Sequence, residues 1–127
     1  MESTIEIKRI DGSIIFRYKA EDNTTKKTIK EYIKREREKG KERVNLNFAN
    51  LSFVNLNNTD LSDVDLINAD LRYIDLRDSD LIGANLSNAD LSGANLRNAN
   101  LMGSNVNDTI FIDSHIEGTI LYNYNND

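Results

Sequence analysis

The chain has 127 residues, with no cysteine, no proline and a single histidine. Without cysteine there can be no disulfide framework and no thiolate metal site, and nothing hints at an oxidising compartment. No apolar run is long enough to cross a bilayer. The opening stretch MESTIEIKRIDG lacks an apolar segment of signal-peptide length, so the cytoplasm is the expected compartment. Phosphate-loop, dinucleotide-binding and nucleophile motifs are missing as well. His115 has no companion His, Cys or Ser constellation and reads as a structural residue rather than a ligand or base. The expectation is therefore a protein that is not an enzyme and needs no cofactor or metal.

What is present is a period of five. Leucine stands at Leu46, Leu51 and every fifth position to Leu101, and Val106, Phe111, Ile116 and Leu121 keep the register. Two residues before each of these comes a small or compact residue, such as Ala49, Thr59, Val64, Ser79 or Ala94. One residue before comes Asn or Asp, without exception from Asn45 to Asn105. A period of five matches neither the 3.6 of a helix nor the 2 of a strand. It suits a chain that turns a corner every five residues and points one large and one small side chain inward each time. Asn and Asp belong at such corners, because they tolerate unusual backbone angles and bond to nearby backbone. Self-similarity at a fixed period is the mark of a solenoid.

The run NADLSGANLRNANL, Asn88 to Leu101, carries the Ala-Asp/Asn-Leu-x-x phrase, and the chain resembles the pentapeptide-repeat family over about two thirds of its length. That resemblance implies an all-β solenoid: a right-handed quadrilateral parallel β-helix with four pentapeptides to a coil. Sixteen repeats then make about four coils, roughly 19 Å tall at the usual strand spacing. Residues twenty apart become vertical neighbours. Phe53 is expected beneath Tyr73, and Arg77 beneath Arg97 with Asp75 and Asp78 nearby.

Residues 1–43 read as an N-terminal cap. Within 4–20, Asp11-Gly12 signals a two-residue hairpin turn. That turn pairs Ile10 with Ser13, Arg9 with Ile14, Glu6 with Arg17, Ile7 with Phe16 and Ile5 with Tyr18. One face then holds Ile5, Ile7, Ile14, Phe16 and Tyr18. Residues 24–39 suggest a helix started by Asn23 or Thr24 and ended at Gly40, with Ile29, Tyr32 and Ile33 as its apolar stripe. The charged run KREREKGKER, Lys34 to Arg43, reads as a solvated helix end rather than a nucleic-acid patch, because glutamates interleave with the basic residues. An open solenoid end exposes strand edges and core leucines, and a terminal unit is needed to cover it. The repeats occupy 44–122, and they degenerate over 105–127 into a more apolar segment.

The net charge of −5 conceals an asymmetry: residues 1–43 sum to +4 and residues 44–127 to −9. Two roles follow. In the first, the protein is an interaction scaffold that docks a protein partner through an apolar column, Ile82, Met102 and Tyr122, flanked by Gly83 and Gly103. The apolar end with Ile110, Ile112, Ile120 and Tyr124 is either a C-terminal cap or a homodimer interface about a two-fold axis. In the second, the carboxylates of Asp60, Asp63, Asp65, Asp70, Asp75, Asp78, Asp80 and Asp90 imitate nucleic acid before a basic groove. The fluoroquinolone-resistance members that the repeat resembles act on DNA gyrase in this way. Stacked Asp60/Asp80 and Asp70/Asp90 carboxylates sit on a flat wall and imply no catalysis. Neither direct nucleic-acid binding nor a membrane partner is expected.

Overall fold

The structure, a computed structural model, describes residues 1–121. Element order is β1 (Glu2–Lys8), β2 (Ile14–Glu21), α1 (Thr25–Glu38), β3 (Val44–Asn45) and β4 (Val64–Asp65). Beyond β4 the chain continues to wind, and each side of a coil contributes a single bridging residue instead of a longer strand. Asn45 lies beside Asp65, Asn50 beside Asp70, Asn55 beside Asp75 and Asp60 beside Asp80, all in parallel. The same four columns continue upward to Asn105, Ile110, His115 and Ile120. Four columns joined at intervals of twenty residues define a four-sided tube with twenty residues per coil.

Two side chains per pentapeptide fill the tube. The leucines from Leu46 to Leu101 and the compact residues Ala49, Val64, Ala69, Ile74, Ala84, Ala89, Ala94 and Ala99 form one continuous buried cluster. Thr59 and Ser79 take compact positions without leaving an orphaned polar atom. Ser79 Oγ donates to the Leu56 carbonyl at 2.7 Å, and Thr59 Oγ1 donates to the Asn57 carbonyl at 3.2 Å. Between the two inward residues, the Asn or Asp faces out. It holds the turn that follows. Asn55 Oδ1 accepts the Asn57 N–H at 3.0 Å, Asp80 Oδ1 the Ile82 N–H at 2.9 Å and Asp90 Oδ1 the Ser92 N–H at 2.9 Å. A turn closes where the Ala49 N–H meets the Leu46 carbonyl, and the bond recurs through the stack.

The unusual backbone angle does not sit on that Asn or Asp, as the sequence suggested. It sits two residues after each leucine. Every fifth residue from Phe48 to Gly118 has φ between 52° and 73°. This is the third residue of the turn, which must enter the left-handed region when the chain reverses in this sense. Four Asn, four Asp and four Gly occupy such positions, as sterics favour. The other three are Phe48, Phe53 and Tyr73. Phe53 and Tyr73 stack with centroids 4.9 Å apart and planes at 15°.

The hairpin pairs Ile5 with Tyr18, Glu6 with Arg17 and Ile7 with Phe16 as its alternation requires, but a bulge follows Ile7 and places Lys8 opposite Ile14. The loop is one residue longer than Asp-Gly alone implies. Arg9 N–H donates to the Ser13 carbonyl, and Gly12, at φ 89°, supplies the left-handed bulge residue. The shift turns Ile14 outward and lets Ile15 pack on the core in its place. α1 begins one residue later than expected, with Thr24 Oγ1 accepting the Lys27 N–H at 3.0 Å. Its buried stripe of Thr28, Ile29, Tyr32 and Ile33 closes over Val44 and Leu46. Tyr32 donates its hydroxyl to the Asn45 carbonyl at 2.8 Å.

The hairpin also satisfies part of the first coil's backbone. Ile10 N–H donates to the Phe48 carbonyl and Asn50 N–H to the Lys8 carbonyl, both at 2.8 Å, with Arg9 antiparallel to Ala49. One side of the lower edge is thereby paired, while α1 covers the leucines.

Replacing Leu76, which is wholly buried, by alanine is expected to cost about 2–5 kcal/mol in chemical denaturation, because a tube one side chain wide cannot collapse around the cavity. Thr24→Ala should cost about 1 kcal/mol in the same assay through loss of the helix cap.

Candidate functional site

Three surfaces come out of this geometry: the carboxylate walls, a half-apolar wall and the upper end. The carboxylates are placed by the tube at regular intervals, but most do not face water as free charges. Arg72 forks onto Asp70 with Nη2–Oδ2 at 2.7 Å, and Arg77 does the same to Asp75. From the basic leader, Arg43 reaches Asp65 at 2.7 Å and Asp63 at 3.7 Å, and Arg37 reaches Asp60 at 3.4 Å. Arg43 also donates to the Gly83 carbonyl, two coils further along the tube's axis. The cap therefore neutralises the wall it stands against. Among the described residues, Asp78, Asp80 and Asp90 form no ion pair.

These bonds move the titrations. Hydrogen bonds from the Arg72 side chain hold the Asp70 carboxyl below its ordinary value, against partial burial, and Arg77 does the same for Asp75. At Asp60 burial pushes upward, but hydrogen bonds from Ser62 and the Arg37 charge outweigh it and the carboxyl ends lowered. None of the three is a raised-pKa acid. Among the described residues, no three His, Asp or Glu side chains gather as a metal-holding group. Arg97, above Arg77, pairs with Glu117 at 3.2 Å and bonds the His115 ring.

On the next wall, Ile82 and Met102 are adjacent in one column and stand 40% and 49% exposed. Gly83 and Gly103 beside them take left-handed angles, and a Cβ at Gly83 would collide with the Asp63 carboxylate. Tyr122 and Tyr124 lie outside the described residues. Ile110 and Ile120 occupy corner positions that hold Asn or Asp in earlier coils, and both, like Ile112, point out of the tube.

The upper end face is made of other residues, which the sequence reading did not single out. Val106, Phe111, Ile116 and Leu121 are the top members of the inward column, and among the described residues no coil lies above them. Leu101, Phe111, Ser114, Ile116, Thr119 and Leu121 line a groove of about 300 Å³ there. The signal was available in the register itself, since Val106, Phe111, Ile116 and Leu121 keep the inward phase of the leucines. Arg37 and Arg43 were missed as partners for the acidic wall, although a basic leader beside an acidic repeat announces such pairing.

Pentapeptide repeats match in eight copies over residues 45–81 and 79–118. The chain belongs to the pentapeptide-repeat family. Its fold is accordingly the right-handed β-helix solenoid of that family. Among solved structures it is similar to the pentapeptide-repeat protein Rfr23 of the cyanobacterium Cyanothece 51142, with 35% identity and a TM-score of 0.50 over 57% of this chain and 54% of that one. It is also similar to QnrB1, a plasmid-mediated fluoroquinolone resistance protein, with 30% identity and a TM-score of 0.54 over 63% of this chain. The chain spans about half the length of Rfr23 and 38% of QnrB1. No curated protein matches the sequence at a significant level. Among the described residues, no helix is long and apolar enough to cross a membrane.

The Arg–Asp forks give a pH prediction. A lowered carboxylate contributes stability that is complete above its unfolded value and lost as pH falls through the folded one. Arg72→Gln/Arg77→Gln should therefore melt below the parent protein at pH 7. The difference should shrink as pH falls below the ordinary carboxylate range and through the lowered folded values. Paired thermal melts from neutral to acid pH check it.

Proposed function

We propose that this pentapeptide-repeat protein is a non-enzymatic interaction scaffold that binds a protein partner through its apolar wall or its C-terminal end. The wall is centred on Ile82 and Met102. The end carries Phe111 and Ile116 on its face with Ile110, Ile112 and Ile120 on its flanks, and in this reading it also pairs two copies. The cytoplasm is the compartment in which it works. The observation that supports the scaffold over nucleic-acid mimicry is the pairing of Asp60, Asp63, Asp65, Asp70 and Asp75 with arginines of the same chain. A carboxylate already held by a guanidinium offers little to a basic groove, because the second cation must displace or repel the first. The regular Asp78, Asp80 and Asp90 spacing and the likeness to a fluoroquinolone resistance protein favour the second reading, an acidic mimic acting on a DNA-binding enzyme such as gyrase.

Salt separates the two. Partner capture from the native host should change little between low and high ionic strength if apolar contact dominates. It should collapse, and be competed by duplex DNA, if the carboxylates carry it. For self-association, light scattering at tens of micromolar should give a dimer mass for the parent protein and a monomer for Ile120→Asp and Phe111→Asp. A monomeric parent protein removes the dimer from the proposal.

A further inference from the structure

Of the fifteen left-handed turn positions from residue 48 to residue 118, twelve carry Asn, Asp or Gly, and the three exceptions are aromatic. An aromatic side chain there is strained and gains nothing from the turn. Phe48 has a local reason, since its carbonyl accepts the Ile10 N–H and it borders the hairpin loop. Phe53 and Tyr73 have none in the core: they are 74% and 56% exposed. Tyr73 is seated over Gly93, where a Cβ would collide with its ring, so one glycine makes room for it. Phe53 rests on Tyr73 with one face and leaves the other open. Beside Phe53 runs a groove of about 360 Å³ whose opposite bank is Thr24, Thr25 and Lys26 at the start of α1. α1 has no acidic residue in its first turn, so its positive end is not neutralised from within. Lys26 Nζ donates to Asn57 Oδ1 at 2.7 Å and, among the described residues, has no carboxylate at ion-pair distance.

We infer that this groove is a recognition slot for an aromatic side chain next to a carboxylate, presented by an extended segment of a partner protein. The partner's ring stacks on the open face of Phe53 and continues the Phe53–Tyr73 column downward. Its carboxylate meets the Lys26 ammonium and the start of α1. Lys26 is the one cation in the lining of this groove, which matches a single carboxylate, while Lys27, Lys30 and Lys34 line the neighbouring groove along α1. The inference rests on the scaffold reading but places contact on a wall that reading does not use.

The test is titration of the full chain with N-acetyl-tryptophan, followed by amide chemical shifts. Saturable shifts are expected at Thr25, Lys26, Val54 and Asn55, with affinity on the order of millimolar, as suits so small a ligand. N-acetyl-tryptophan amide, which lacks the carboxylate, should bind several-fold more weakly, and N-acetyl-leucine should leave these amides unmoved. Phe53→Asn should weaken binding at least roughly tenfold while keeping or raising the melting temperature, because Asn suits the left-handed angle. Lys26→Gln should bring the acid down to the affinity of the amide. Absence of saturable shifts at these amides, or equal binding by a folded Phe53→Asn, overturns the inference. So does a ten-residue oligothymidylate that moves the same amides at lower concentration, since the slot would then belong to nucleic acid. The probe requires no native partner, so its failure leaves the apolar wall and end untouched, and their failure leaves the slot standing.

Discussion

Each coil is joined to the next by main-chain bonds that run from a residue to one nineteen or twenty-one places on, such as Leu76 N–H to the Asn95 carbonyl and Asn95 N–H to the Ile74 carbonyl. These bonds fix the coil at twenty residues. If a coil held one residue more or fewer, the leucines would drift off the axis and the corner residues would turn inward. The interior is only wide enough for one large and one small side chain per side, and this narrowness makes the register rigid. The positions of every wall residue follow from that one spacing.

The exterior is shaped by a second set of bonds. Asn and Asp side chains tie the following turn, and where Asp is used the negative charge comes with it. The protein then neutralises much of that charge itself, with Arg72 and Arg77 from neighbouring positions and Arg37 and Arg43 from the leader. The basic leader and acidic repeats, contradictory as a surface, are complementary as a contact. Arg43 ties the cap to successive coils, so the electrostatic asymmetry of the sequence is partly spent inside the molecule. This is why the acidic walls argue less for nucleic-acid mimicry in the folded chain than they do on the page.

Departures from the repeat shape the exterior. Aromatic rings at Phe53 and Tyr73 sit where the backbone favours Asn or Gly, and isoleucines at Ile110 and Ile120 replace corner residues that elsewhere hold the turn. Apolar side chains at such places cannot serve the tube's own core. They point outward.

The solenoid could be read from the period of five, and its twenty-residue coil and the Phe53–Tyr73 stack from the resemblance of that period to the pentapeptide-repeat family. The start of α1 and most of the hairpin register were legible for similar local reasons, a capping threonine and a clean alternation. What the linear chain did not reveal were relations between segments of unlike pattern. The hairpin's bulge depends on a three-residue loop that docks on the first coil. The arginines that quench Asp60, Asp63 and Asp65 come from 20 to 23 residues away, outside the repeat. The groove beside Phe53 exists only because α1 starts opposite it. Periodicity specifies neighbours twenty residues apart, whereas the docking of a non-repeating cap is settled by shape and charge in three dimensions.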